Sequence, residues 1–388
     1  MRPFFFAGFL LLAAAAHSAH AVLRTAPEMQ PAAAVAVPIV SRKVAAPGAV
    51  RLPEPLPGEV ASGAAGRSRA QIGFARGVQA LRTASEVSTH LAWAPSGADR
   101  QAAALAISSP GASALRVALK IGSLPRGTRF IFAGASGAAV QVEAADIEAT
   151  VARNLYYGED SPAAHLYWSP VLEGDTAIVE VDMPAGASAG ELHVAIPLVS
   201  HLVTSAAHGF AAACAPAACD DEAGPTDGAA VSRIVFTEDG VTYACNGMLV
   251  ADRDPETVIP FFLTSRHCIA TQSAASTAQP YWPHEGSACG SVAALDPGSE
   301  GATLLHADGT ADLTLLRLQH APPAGAAYAG WMVGAALRPV AASLGQCAAA
   351  SGTSARFEAA YNAGLYQWLG GMPQDASDEE TSAGGAGS

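Results

Sequence analysis

The chain has 388 residues, enough for two or three domains of ordinary size, and a formal net charge of −13. That charge argues against a nucleic-acid partner, which needs a basic face to displace the counterions around phosphate. Half of the residues are apolar, but the share leans on alanine, and only Lys43 and Lys120 are lysines among 21 basic residues, a bias of GC-rich bacterial coding rather than of function.

The first residues read as a targeting signal. Arg2 supplies a positive start, Phe4 to Ala16 form an apolar stretch too short to span a bilayer stably, and Ala19-His20-Ala21 offers a small-residue cleavage site. Residues 1–21 are therefore expected to be a signal peptide removed after Ala21. The mature protein is then secreted, extracellular or periplasmic, with no membrane partner. Six cysteines follow, Cys214, Cys219, Cys245, Cys268, Cys289 and Cys347, all after residue 213. In an exported chain disulfides are their default state. Their confinement to the second half predicts two domains stabilised in different ways.

Residues 22–91 read as an Ala/Pro-rich linker or pro-segment. Up to about residue 66 the segment has little to bury, and Ala70 to His90 reads as a helical or loop approach to Trp93. From 92 to 204 short alternating strands are predicted, separated by turn signals. Ala103-Leu105-Ile107 ends at Ser109-Pro110-Gly111, and Leu115-Val117-Leu119 ends before Pro125-Arg126-Gly127. Thr128-Phe130-Phe132, Ala139-Val142, Thr176-Val179-Val181 and Leu192-Val194-Ile196 follow. Strands of this length and spacing predict an antiparallel β-sandwich. An independent binding module, for carbohydrate for instance, would need exposed aromatics, and these are sparse.

Residues 205–230 read as a junction. Beyond it, Ser232-Arg233-Ile234-Val235-Phe236 and Val241 to Val250 predict a hairpin turning at Asp239-Gly240. The next strand, Phe261-Phe262-Leu263-Thr264-Ser265-Arg266, stops at His267 and Cys268. Taken alone, that pair is a core histidine beside a structural disulfide. Asp312 lies 45 residues further on, entering the alternating strand Leu313-Thr314-Leu315-Leu316-Arg317-Leu318. A buried unpaired carboxylate is expensive, so core filler explains it poorly. A histidine held at a strand end and oriented by a buried aspartate is the arrangement a general base requires.

In this order Cys245-Asn246-Gly247, Thr264-Ser265-Arg266-His267-Cys268, Asp312 and Tyr328-Ala329-Gly330-Trp331 resemble the trypsin-like serine endopeptidases, and among them the bacterial lysyl-endopeptidase-like precursors. Ser169-Pro170 after Tyr167-Trp168, and Gly174-Asp175, resemble the pro-region of that group. The resemblance implies an all-β protein: an N-terminal antiparallel β-sandwich prodomain over 92–204, then a partial trypsin-like double β-barrel over 231–388. It implies peptide-bond hydrolysis with His267 as general base and Asp312 as its orienting carboxylate. It also implies bridges Cys245–Cys268 and Cys219–Cys289, no cofactor, no metal, a protein or peptide substrate, and a monomer.

The chain departs from that pattern in its last residues. Thr381-Ser382-Ala383-Gly384-Gly385-Ala386-Gly387-Ser388 reads equally well as a disordered Gly/Ala/Ser tail; aligned on the family's Gly-x-Ser-Gly turn, it places Ala386 where the nucleophilic serine stands. The strands that follow that serine, and the partner of Cys214, are expected beyond it and are not in the sequence. No lysine or arginine lies between Arg153 and Cys214 to serve as a maturation site. A protease homologue with no nucleophile, acting as a binding protein or surviving as a fragment without function, is therefore the second reading. A metal site built from His267, Cys268 and His284 is a third, but no matching second ligand pair supports it.

Overall fold

A computed structural model of the chain describes residues 24–25, 47–56, 59, 69–135, 139–204, 230–252, 257–283, 295–297, 300–324 and 326–329. The predicted signal peptide, positions 205–229 of the junction with Cys214 and Cys219, and the residues His284, Cys289, Trp331, Cys347 and Ala386 lie outside the described residues.

Strands β1 (Arg24–Thr25), β2 (Gly48–Arg51), β3 (Ala70–Gln71) and β4 (Gly73–Gly77) precede helix α1 (Ala84–His90). Then β5 (Ala94–Pro95), β6 (Arg100–Ser108), β7 (Ala114–Ser123), β8 (Arg129–Ala133) and β9 (Val140–Glu143) lead into helix α2 (Ala144–Tyr156). The first half closes with β10 (Leu166–Trp168), β11 (Leu172–Glu173), β12 (Thr176–Pro184), β13 (His193–Ala195) and β14 (Leu198–Leu202). One sheet runs β10-β7-β14-β4, with β11 and β13 also on β7, and the other runs β2-β6-β12-β8-β9, with β5 on β6. Alternation decides which side chains meet between them. Leu105 and Ile107, Leu115 and Val117, Phe130 and Phe132, and Val179 and Val181 all fall into one buried cluster, the signature of two sheets packed face to face.

The sandwich begins earlier than composition suggests. Segments assigned above to a linker form β2, which pairs in parallel with β6, and β4, which pairs with β14. Val50, Leu52, Ile72 and Phe74 bury there. Each apolar group is too short and too isolated in sequence to show a period. Helix α1 is set by a capping box, Thr83 with Glu86. Helix α2, which the strand-dominated reading did not predict, buries Ile147 and Asn154.

The second half forms a sheet of eight strands: β15 (Val231–Glu238), β16 (Val241–Val250), β17 (Phe261–Thr264), β18 (Gln279–Pro283), β19 (Leu295–Pro297), β20 (Ala302–Asp308), β21 (Leu313–Leu318) and β3. Helix α3 (Gln272–Ser276) lies between β17 and β18, and β22 (Ala327–Tyr328) pairs with β1. The order β19-β18-β15-β16-β17-β21-β20 is antiparallel throughout, and the chain is all-β, as expected. The β15–β16 hairpin turns on Asp239 and Gly240, both left-handed with φ of 51° and 81°, as a two-residue type I′ loop requires. A Cβ on Gly240 would also lie 2.7 Å from that of Ala75, so the hairpin tip closes on the sandwich.

The two halves share a buried polar seam. Arg116, on the face of β7 turned away from the sandwich core, is fully buried. Its Nε donates to Ser169 O at 2.8 Å and its Nη1 to Thr237 Oγ1 at 3.0 Å. Its Nη2 donates to Thr277 O at 3.0 Å and to Glu300 Oε2 at 2.8 Å, and Tyr167 donates to Glu300 Oε1 at 2.7 Å. Beside it Asn154 Oδ1 accepts from Ser276 Oγ at 2.6 Å. The Glu159 carboxylate accepts from the first N–H groups of α3, at Gln272 and Ser273. Segment 70–72 is a strand of both halves, since Gln71 and Ala70 pair with Tyr243 and Ala244, and Val203 N–H donates to Ile72 O.

Arg116→Met leaves Glu300 buried with one neutral donor. It is expected to lower unfolding stability by about 3–5 kcal/mol, measured by urea denaturation. Burial, working against Arg116, raises Glu300 from 4.5 to about 7. The native state therefore keeps a proton that the unfolded chain has released, and the stability from this group falls as pH rises from about 4.5 to about 7. Glu300→Gln is expected to flatten that limb of the urea midpoint against pH.

Candidate functional site

The site forms where β17 ends and β21 begins. Paired residues Thr264 and Thr314 are the last of the β17–β21 ladder, so the chain leaving β17 and the chain entering β21 arrive side by side. Thr264 Oγ1 donates to Asn246 O at 2.8 Å, and Thr314 Oγ1 to Ile269 O at 2.7 Å. These buried hydroxyls fix the backbone on either side of residues 265–268. Gly247 allows the close crossing of β16, since a Cβ there would lie 2.2 Å from the Phe262 ring.

Asp312 is held on this loop by three bonds. Its carbonyl accepts from Arg266 N–H at 3.1 Å, its Oδ1 from the backbone N–H of His267 at 2.8 Å, and its Oδ2 lies 2.5 Å from His267 Nδ1. Its own backbone is left-handed, φ 48°, a conformation aspartate tolerates better than most residues because a short polar side chain can bond locally. Upstream, the Asp308 carboxylate accepts from the N–H groups of Thr310 and Ala311 and shapes the turn that delivers Asp312. Both predicted site residues are thus brought together. A carboxylate on Nδ1 fixes the tautomer, so that Nε2 presents a lone pair. The imidazole and carboxylate side chains retain about a fifth and a third of their exposure, leaving them open to a ligand.

The loop is clamped behind the ring. Cys245 on β16 and Cys268 form the expected disulfide. Their sulfurs and the His267 ring lie within 4.8 Å of one another, but with both sulfurs joined neither offers a thiolate, and one imidazole is no metal site. Arg69, just before β3, donates to Cys268 O at 3.3 Å, pairs with Glu238 at 2.6 Å and lies 3.8 Å from the Tyr243 ring. Sequence reasoning missed Arg69, because nothing near it in the chain marks a contact 199 residues away.

The double variant Cys245→Ser, Cys268→Ser opens a loop of 23 residues. It is expected to lose about 3 kcal/mol in thermal melts and to speed amide exchange at residues 266–268.

Residues 52–203 match the lysyl endopeptidase N-terminal domain, and residues 208–344 match the lysyl endopeptidase C-terminal domain. Over 267 residues the chain is 32% identical to a lysyl endopeptidase of Pseudomonas aeruginosa, an alignment covering 63% of this chain and 54% of that protein. The chain thus spans about half the length of that relative. With the two domain matches in order along the sequence, the chain is a lysyl-endopeptidase-like protein.

Proposed function

We propose that this chain is an exported homologue of serine endopeptidases, in which His267 is the general base, Asp312 orients it, and the N-terminal sandwich is a prodomain. The observation that carries the reading is the double hold of one carboxylate on one histidine, at its backbone N–H and at Nδ1. A base that takes a hydroxyl proton and returns it to a leaving amine needs a fixed ring and a free Nε2. The carboxylate also stabilises the imidazolium formed between those two transfers. A peptide with a lysyl bond is the substrate class we carry over from the relative's name. The chemistry asks for no cofactor.

The nucleophile is the open position in this reading. If the C-terminal Gly/Ala/Ser stretch is aligned on the family's serine turn, Ala386 takes the serine's place and has no oxygen to attack a carbonyl. On that alignment, a protease homologue that binds peptides without turning them over is the second reading. The 388-residue protein is expected to resist labelling by a fluorophosphonate probe. Labelling that disappears in His267→Gln would overturn the missing nucleophile and support the base. Labelling that persists in His267→Gln would overturn the role of His267.

A further inference from the structure

Three metal-ligating side chains meet behind the histidine loop. The sulfurs of Cys245 and Cys268 and a ring nitrogen of His267 all lie within 4.8 Å of one another. Among the described residues this is the one group of three histidine, cysteine or carboxylate ligands close enough to share an ion. The contacts that bring the three together do not depend on the bond between the sulfurs. Cys245 is held by the pairing of β16 with β15, where it stands opposite Ile234. The Cys268 N–H donates to Ser265 O at 3.1 Å, its carbonyl accepts from Arg69, and its side chain is buried. His267 is fixed by Asp312. The Cα atoms of the two cysteines are 6.3 Å apart. That separation lets free thiolates turn to about 3.8 Å from each other, the edge of a tetrahedron around zinc with Zn–S bonds of about 2.3 Å. Cys245 is only partly buried, so a reductant reaches the bridge from its side.

We propose that the dithiol form of this chain carries a zinc-binding site made of Cys245, Cys268 and His267, which the disulfide closes. On reduction two thiol molecules pass two electrons and two protons to the bridge and leave as their own disulfide. A zinc ion then displaces the two thiol protons to solvent and takes both thiolates and His267 Nε2. Asp312 already occupies Nδ1 at 2.5 Å, the carboxylate–histidine–metal arrangement that orients a ligating imidazole and raises its basicity. Three protein ligands leave a fourth position for water. Sulfur and imidazole donors select zinc over magnesium and calcium, which take oxygen. The ion occupies the lone pair on Nε2, so the loaded dithiol form cannot accept a proton there. That last consequence rests on the reading of His267 as a base, whereas the binding does not.

Cobalt(II), a coloured stand-in for zinc, is the probe. It is titrated into the full-length chain carrying Cys214→Ser, Cys219→Ser, Cys289→Ser and Cys347→Ser, with the remaining bridge reduced by a phosphine. One equivalent should bind with thiolate-to-cobalt charge-transfer absorption and a dissociation constant of about 1 μM or tighter, weaker than zinc held by four ligands. Zinc should bleach that absorption, and the unreduced chain should bind none. His267→Gln should weaken binding by about a hundredfold, and Asp312→Asn, at a residue that touches no metal, by about tenfold. If the four-serine chain does not fold, the reduced parent chain is compared with its Cys245→Ser variant, which should lose one cobalt equivalent. Absence of saturable binding to the reduced chain, equal binding to the oxidised chain, unchanged affinity in His267→Gln, or an unchanged cobalt count in Cys245→Ser would each overturn the proposal.

Discussion

One buried guanidinium constrains how the two halves of this protein meet. Arg116 cannot be withdrawn from water unless its donors are satisfied, and four of its five N–H groups are, by Ser169, Thr237, Thr277 and Glu300. The partners come from both halves, so neither half alone completes the set. Glu300 is in turn held by Tyr167, whose hydroxyl burial and the adjacent carboxylate push well above the usual phenol range. The seam is a closed network in which each polar group depends on its neighbours, and such networks specify one docking geometry more sharply than apolar contact does. Around it Ile72, Ala114, Leu202, Val235, Ala244 and Tyr281 exclude water.

The histidine site follows the same logic on a smaller scale. Asp312, left-handed at a strand entrance, is tied there by the acceptors it provides to Arg266 and His267. The disulfide and the Arg69 bond to Cys268 O then fix the loop from behind. Rigidity at this point comes from the second half's own ladder and from the first half together. The arrangement links the posture of His267 to the docking of the first half.

What could be read from sequence was local. The hairpin at Asp239-Gly240 announced itself because a two-residue type I′ loop has a residue signature. The long strands of the sandwich announced themselves by alternation, and His267, Cys268 and Asp312 by order along the chain. Strands β2 to β4 did not, because two to five residues carry no period and their pairing partners lie far away in sequence. Helix α2 was missed because it follows a strand without a side-chain cap. Arg116 looks in sequence like an ordinary surface arginine, and only the packing of one half on the other reveals that it is sealed.

The short strand at Ala70–Gln71 changes what it means for this chain to be two pieces. Its backbone pairs with Tyr243 and Ala244 of the second half, and the very next residues continue into the sandwich through β4. A covalent break anywhere between residues 204 and 230 would therefore not part the halves, because the thread that stitches them runs through the other end of the first half. Separation would have to peel main-chain hydrogen bonds from β16 and expose Arg116 in one cooperative opening. The side of β16 left bare at Tyr243–Ala244 would then be an unpaired strand edge, open to any extended segment able to take the place of residues 70–72.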